Sequence, residues 1–381
     1  MRTALCDELG IEYPIFAFSH CRDVVVAVSK AGGFGVLGGL SFTPEQLEIE
    51  LRWIDEHVDG RPYGLDVVMP ARDPGMDVDT SSREVMASNI VDRIPEQHAK
   101  FVEDLMQRFQ LPPLAEETGP RGLLGWAHDL ARELVEVGLG HPIKLLANAL
   151  GSPPKDVIQL AHDHGVKVAA LSGKVQHAER HVANGVDIVV AQGSEAGGHT
   201  GEIGTMVLVA DVVDAVSPTP VLAAGGIGCG RQVAAALSLG AQGVWMGSLW
   251  LTTAESSSSP EMVERMLQAS SSDTVRSRCL TGKPARLLRS AWTDAWESAE
   301  SPGTLPAPLQ NVLVSEANAR MNQARRKELI YGPVGQVVGR MNQVQSVRDV
   351  MSGLVEEYID TVERLGSGLT SATDGVVAAP R

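Results

Sequence analysis

Short runs of β-branched and other apolar residues alternate with stretches in which apolar side chains recur every three or four positions, over the first two-thirds of the chain. The pattern predicts strands at Pro14–Phe18, Phe34–Gly38, Tyr63–Met69, Ile143–Ala149, Val166–Leu171, Val186–Ala191, Thr219–Ala224 and Gln242–Gly247. Several are unbroken apolar runs, such as Ile188-Val189-Val190 and Val221-Leu222-Ala223. Unbroken runs of this length suit parallel strands covered on both faces. Between the later strands lie amphipathic stretches, Pro154–His164 and Gly230–Leu239, long enough for crossover helices. Eight strands in βα alternation point to an α/β fold of the (β/α)8 TIM-barrel type. An open doubly wound sheet gives the same local signals, since periodicity does not reveal closure.

Two segments break the rhythm. The span from Pro70 to Pro142 is too long and too polar for one crossover, with helical stretches near Glu96–Phe109 and Leu123–Val137. It is expected as a helical insertion after strand three, on the barrel rim, in the place of a lid. After Trp250 the chain turns helical and Ser-rich, and Val347, Val350, Met351, Leu354, Val355, Tyr358 and Ile359 recur at helical spacing. That stripe is expected to pack on the barrel or on a sister subunit, which would make a homodimer. The divisions expected are therefore a barrel over 1–254 containing the insertion, a helical extension over 255–366 packed on it, and a loose small-residue tail over 367–381.

Composition narrows the function classes. Acidic residues outnumber basic ones by 47 to 32, for a formal charge of −15, and no Lys/Arg block interrupts that balance. A nucleic-acid groove or an anionic membrane surface is therefore not expected. No apolar run approaches the roughly 18 residues that span a bilayer. The acids near the start stand where a secretory signal needs an apolar stretch. The four cysteines, Cys6, Cys21, Cys229 and Cys279, are far apart and form no CxxC pair. That disfavours disulfides and structural zinc, and fits a reducing cytoplasm.

The richest chemistry lies in Gln192-Gly193-Ser194-Glu195-Ala196-Gly197-Gly198-His199-Thr200-Gly201, directly after the sixth strand. Barrel active sites sit on the loops at the C-terminal ends of strands. Four glycines in these ten residues let backbone approach a ligand, and the one histidine can serve as a base near neutral pH. A loop that merely needs positive φ angles would look the same. Ala224-Gly225-Gly226 and Met246-Gly247-Ser248 put glycines at the exits of strands seven and eight, where barrels bind phosphate on backbone amides and a helix N-terminus. Either alone reads as a tight turn; two in consecutive units favour phosphate. Gly33–Gly38 spells GxGxxG but leads into a strand instead of out of one, so it is not a dinucleotide fingerprint. His177 and His181 stand four apart without a third ligand, which fits a solvated helix face better than zinc; no metal is expected.

These three loops, in this order, resemble the nitronate monooxygenase (2-nitropropane dioxygenase) family, FMN-dependent (β/α)8 barrels related to the flavin-dependent enoyl reductase of bacterial fatty-acid synthesis. The resemblance begins at Leu9–Ile15, continues through Ala31–Gly35, and returns at Leu280–Arg286 and Gly335–Gly339. It implies FMN as cofactor, His199 as catalytic base, and Gln192, Gly193, Gly197 and Gly198 as the loop near the flavin. It further implies a phosphate held by Ala224, Gly225 and Gly226 on one side and by Met246, Gly247 and Ser248 on the other. Phe18, Ser19 and His20 align with the family's usual Ala-Pro-Met along the flavin ring, and none of the three is retained. Asp66 stands where an Asn is common, and Leu171 where some relatives have Lys.

The opening Ala17–Asp23 and the long insertion look closer to actinobacterial flavin oxidoreductases that act on CoA thioesters in steroid-ring degradation. The resemblance thus implies a small-molecule substrate, nitronate or CoA thioester. A nitronate would go with O2 to a carbonyl compound and nitrite. The alternative is a flavin oxidoreductase linked to NAD(P)H or another acceptor, acting on an enoyl- or acyl-CoA or a quinone. His20 would then hold a substrate oxygen. A non-catalytic phosphate-binding barrel is the third reading, and a base in the neighbouring loop counts against it.

Overall fold

The computed structural model describes residues 1–69, 93–114 and 128–374; the calls that fall on 70–92, on 115–127 (including the start of the helix expected from Leu123) and on 375–381 lie outside the described residues. Eight parallel strands close a barrel: β1 (Ile15–Ser19), β2 (Phe34–Gly38), β3 (Tyr63–Asp66), β4 (Leu145–Asn148), β5 (Lys167–Ser172), β6 (Ile188–Gln192), β8 (Val221–Ala224) and β9 (Gly243–Met246). Between β6 and β8 a two-residue strand, β7 (Gly198–His199), leaves the barrel to join β10 (Thr274–Ser277) and β11 (Ala285–Leu288) in a small antiparallel sheet. Closure settles the choice between barrel and open sheet. All eight expected strands are present, with ends shifted by a few residues.

Period-two alternation sorts the strand side chains. Phe16, Phe34, Val36, Leu145, Ala147, Ala169, Ile188, Val190, Leu222 and Trp245 fill the barrel interior. Their neighbours Ile15, Leu65, Val168, Val189 and Val244 face the surrounding helices. Leu5, Cys6 and Leu9 of the helix Ala4–Leu9 join the interior cluster. Glu8 of that helix pairs with Lys167 at the start of β5, so the helix plugs the N-terminal end. Chemistry is left to the opposite end, where the strands finish.

The eighth helix of the ring arrives late in sequence. Val347, Met351 and Leu354 of the helix Val347–Asp374 pack with Val24, Val28 and Val233 of the helices Arg22–Lys30 and Gly230–Ser238. The amphipathic stripe thus covers the barrel, one of the two expected uses. Gly230 is the contact point: a Cβ there would run into the backbone of Leu354 and Tyr358. The helix continues past Gly366, where the small-residue stretch predicts a loose tail.

The segment between β9 and this last helix is not purely helical, because it carries β10 and β11. It builds a second apolar core in which Cys279, Leu287, Trp292, Trp296 and Val314 meet Val102 and Leu105 of the helix Glu96–Arg108. The insertion after strand three and the C-terminal extension therefore meet each other. All four cysteines are buried and free. Among the described residues no helix is long and apolar enough to cross a membrane, and no cluster of His, Cys, Asp and Glu could hold a metal ion.

Candidate active site

Continuing the alternation to the strand ends gives the floor of the open mouth. Phe18 from β1, Gly38 from β2, Asp66 from β3, Leu171 from β5 and Gln192 from β6 all share the inward register. Gly247, two residues past Trp245, follows β9 in the same phase. Phe18 lies nearly parallel to Trp245, centroids 6.3 Å apart, and makes an edge contact with the His20 ring at 5.1 Å. The floor is aromatic on the β1–β9 side, with Phe18 and Trp245, and carries polar groups from Asp66 and Gln192. The Gln192 side chain has no hydrogen-bond partner among the described residues, and Asp66 Oδ2 is buried without one.

Two turns beside this floor expose backbone donors. Gly225 and Gly226 both adopt left-handed φ angles, +109° and +68°. The amides of Gly225, Gly226 and Ile227, and those of Gly247 and Ser248 across the β8–β9 pair, make no hydrogen bond among the described residues. A Cβ on Gly247 would meet nothing nearer than Phe18 Cδ1, at 3.8 Å. Free amides on two neighbouring turns are able to serve an anion. Gly247 and Ser248 open the 3-10 helix Ser248–Thr252, so a helix N-terminus lies at this turn, whereas at the helix after the first turn Glu357 Oε2 accepts from Gly230 N at 2.8 Å and the carboxylate also pairs with Arg231. Ser248 Oγ accepts from Gly335 N at 2.8 Å, tying this turn to the extension. A further cavity of about 420 Å3, lined by Val209, Ala223, Ala235 and Arg340 among others, lies on the helix side of the Gly225–Gly226 turn and not over the mouth.

The glycine-rich loop after β6 divides its glycines between two uses. A Cβ on Gly193 would collide with Thr205, and one on Gly197 would stand 2.8 Å from the Gly335 nitrogen. Both positions are therefore demanded by packing. Glu195 is structural as well: its carboxylate receives Thr205 N and Thr205 Oγ1 at 2.8–3.1 Å, capping the helix Thr205–Val216.

His199 is held differently. Its strand pairs with β11, placing it opposite Ala285, and its Nε2 lies 2.7 Å from Thr281 Oγ1. The same oxygen accepts Lys283 N at 3.3 Å. His199 Nδ1 has no partner among the described residues and is not sealed from solvent. Burial, with the Lys283 charge adding to it, lowers the imidazole to about 4, so it is neutral at pH 7. Thr281 lies in the stretch Leu280–Arg286 that carries the resemblance, but its place beside His199 comes from the pairing of β7 with β11, and the hydrogen bond joins residues 82 apart.

His20 Nδ1 meets the Gly38 carbonyl at 3.0 Å, while Nε2 has no partner among the described residues. The residue is exposed at the rim, yet its ring sits deep enough that desolvation lowers its pKa, with the Gly38 contact opposing. Ser19 Oγ accepts from Cys21 N and so shapes the turn after β1. His181 corrects the expected solvated face: it is buried, with Nε2 3.1 Å from the Leu171 carbonyl, whereas His177 is exposed. The stretch Gly33–Gly38 is turn and strand, and Gly35 is required because the Val25 backbone crosses it.

The residues present fit a flat, partly polar ligand with an anionic tail: an aromatic floor, unpaired polar groups at its edge, and free amides beside it. Comparison with known proteins gives the family. Residues 2–357 match the family model described as nitronate monooxygenase. The chain is 53% identical over 373 residues to "Putative monooxygenase Rv1533" of Mycobacterium tuberculosis, covering 96% of this chain and 98% of the relative. Among solved structures it resembles a nitroalkane oxidase from Streptomyces ansochromogenes, with TM-score 0.78, 25% identity, and 95% and 100% of the two chains covered. It also resembles FabK from Thermotoga maritima, with TM-score 0.72, 26% identity, and 96% and 99% covered.

Proposed function

The chain belongs to the nitronate monooxygenase family, and on that premise we propose an FMN-dependent oxidoreductase that converts an alkyl nitronate with O2 to a carbonyl compound and nitrite. The observation that carries this reading is His199: a neutral imidazole, fixed through Nε2, with its other nitrogen open at the end of the barrel where the free amides lie. FMN, when bound, supplies the electron-accepting group.

The remaining work falls to the chain. The amides of Gly225, Gly226, Gly247 and Ser248 would hold the phosphate, and Phe18 over Trp245 would support the ring. Gln192 and Asp66 offer partners to its polar edge. A hydrogen on carbon beside a nitro group is acidified, and His199 Nδ1 would take it, turning a neutral nitroalkane into the reactive nitronate. Closed packing below the floor and the plug at the N-terminal end keep water from the interior.

A second reading, hydride exchange with an enoyl or acyl thioester, draws support from His20. A thioester carbonyl gains from a donor more than a nitronate does, and His20 Nε2 is free at the rim. One experiment separates the readings. The chromophore released on denaturation is identified, and the yellow protein is then mixed anaerobically with a nitronate, with NADH, and with an enoyl-CoA. FMN together with bleaching by the nitronate supports the first reading. FAD, or no flavin after reconstitution with FMN, contradicts both.

A further inference from the structure

We infer that Asp66 works as a neutral carboxylic acid in the flavin pocket, so that FMN binding at this site is coupled to a proton held by this side chain. The inference rests on the flavin reading above and adds its pH control.

Asp66 is the last residue of β3 and shares the inward phase of Gly64, while Tyr63, Leu65 and Val67 face the helices. It is 3% exposed, and among the described residues Oδ2 is sealed from solvent without a partner and Oδ1 makes no hydrogen bond either. A carboxylate so placed would lack both donors and a counter-ion, a costly arrangement that protonation relieves. Among the described residues nothing charged faces it. From β2 it meets Gly38, with the His20 ring over that glycine; from β4 it is paired with Ala147, followed by Asn148. His20 is the one titratable neighbour among these, and desolvation keeps it neutral. Asn148 is already engaged, donating to the Met69 and Gly151 carbonyls and accepting from Met69 N. Burial alone moves the Asp66 carboxyl up to about 7.

A protonated carboxyl has the shape of an amide and, like one, offers both a donor and an acceptor. The polar edge of an isoalloxazine alternates carbonyl and ring-nitrogen acceptors with one N–H donor, so it can pair with a neutral acid in both senses. A carboxylate could only accept, and would face the ring's acceptors with like partial charge. Asp66 therefore substitutes for an amide below about pH 7 and loses that likeness above it.

The test is titration of the flavin-free protein with FMN between pH 6.5 and 8.5, followed by flavin fluorescence, for wild type and Asp66→Asn. The two share any effect of phosphate ionisation, so the ratio of their dissociation constants isolates the carboxyl. Wild-type FMN affinity should weaken about tenfold per pH unit relative to the variant once the acid ionises. In weakly buffered solution at pH 8, wild type should take up about one proton per FMN bound, a measurement that needs no variant. Binding with parallel pH courses and no proton uptake would overturn the inference while leaving the flavin reading intact. Failure of both proteins to bind FMN at any pH would overturn the two together.

Discussion

The Nε2 of His199 lies 2.7 Å from Oγ1 of Thr281, leaving Nδ1 as the nitrogen that can meet a substrate. The Thr281 hydroxyl can donate or accept; for Nδ1 to accept a proton, Nε2 must carry the hydrogen and donate it to Oγ1, the tautomer on which the proposed role depends. Thr281→Val should lower kcat for a neutral nitroalkane roughly 10–100-fold, the usual worth of an orienting partner, with FMN content and KM little changed. Thr281→Ser should restore most of it. Imidazole 15N shifts should report mixed tautomers in the valine variant alone. Wild-type kcat with valine would remove Thr281 from the mechanism.

The pH profile follows from the same ring. Burial first and Lys283 second hold His199 down to about 4, so the basic form dominates above that value and is lost as pH falls through it. The acid limb of kcat/KM for a neutral nitroalkane should therefore lie near pH 4 and not near 6.5. Replacing the positive charge, Lys283→Met, should move the limb to higher pH. A wild-type limb near 6.5 that ignores Lys283 would show that another group titrates.

Gly247 offers a test of the phosphate end that leaves the fold alone. Its φ is −113°, a backbone that any residue adopts, and the side where a Cβ would point is open as far as Phe18. Gly247→Leu should fill that space and weaken FMN binding at least tenfold, while the thermal midpoint of the flavin-free protein stays nearly unchanged. Equal FMN affinity in the variant would place the phosphate elsewhere.

His20 separates the two substrate readings. His20→Met removes the free Nε2 together with the Gly38 contact. Turnover of an enoyl-CoA should suffer far more than turnover of a nitronate. Equal effects on both substrates, read from parallel kcat/KM measurements, would leave His20 a structural role.

How far the sequence discloses this molecule depends on the range of the forces involved. Ile188-Val189-Val190 and Val221-Leu222-Ala223 are apolar on both faces, so they are legible as strands without knowledge of their neighbours. The turns after them are marked by glycines whose φ angles few other residues adopt. Gly193 and Gly197 show the limit, since a glycine required by Thr205 or by Val334 and Gly335 looks the same as one required by a cofactor. The strands Thr274–Ser277 and Ala285–Leu288 are short and carry Arg276 and Arg286, so no periodicity marks them. They form because they pair with each other and with β7, and the position of Thr281 beside His199 follows from that pairing. Asp66 is visible as a departure from a family pattern, but its lack of partners exists only in the folded barrel.

The most direct test of His199 as the proton-transferring group compares two forms of one substrate. FMN-loaded wild type and His199→Ala are mixed anaerobically with a neutral nitroalkane and, separately, with its preformed nitronate, and the rate of flavin bleaching is followed. With the alanine variant, bleaching by the neutral form should slow by roughly 10²–10⁴-fold, while bleaching by the nitronate, already deprotonated, should change far less. Equal slowing with both forms, or an unimpaired rate with the neutral one, would contradict the assignment.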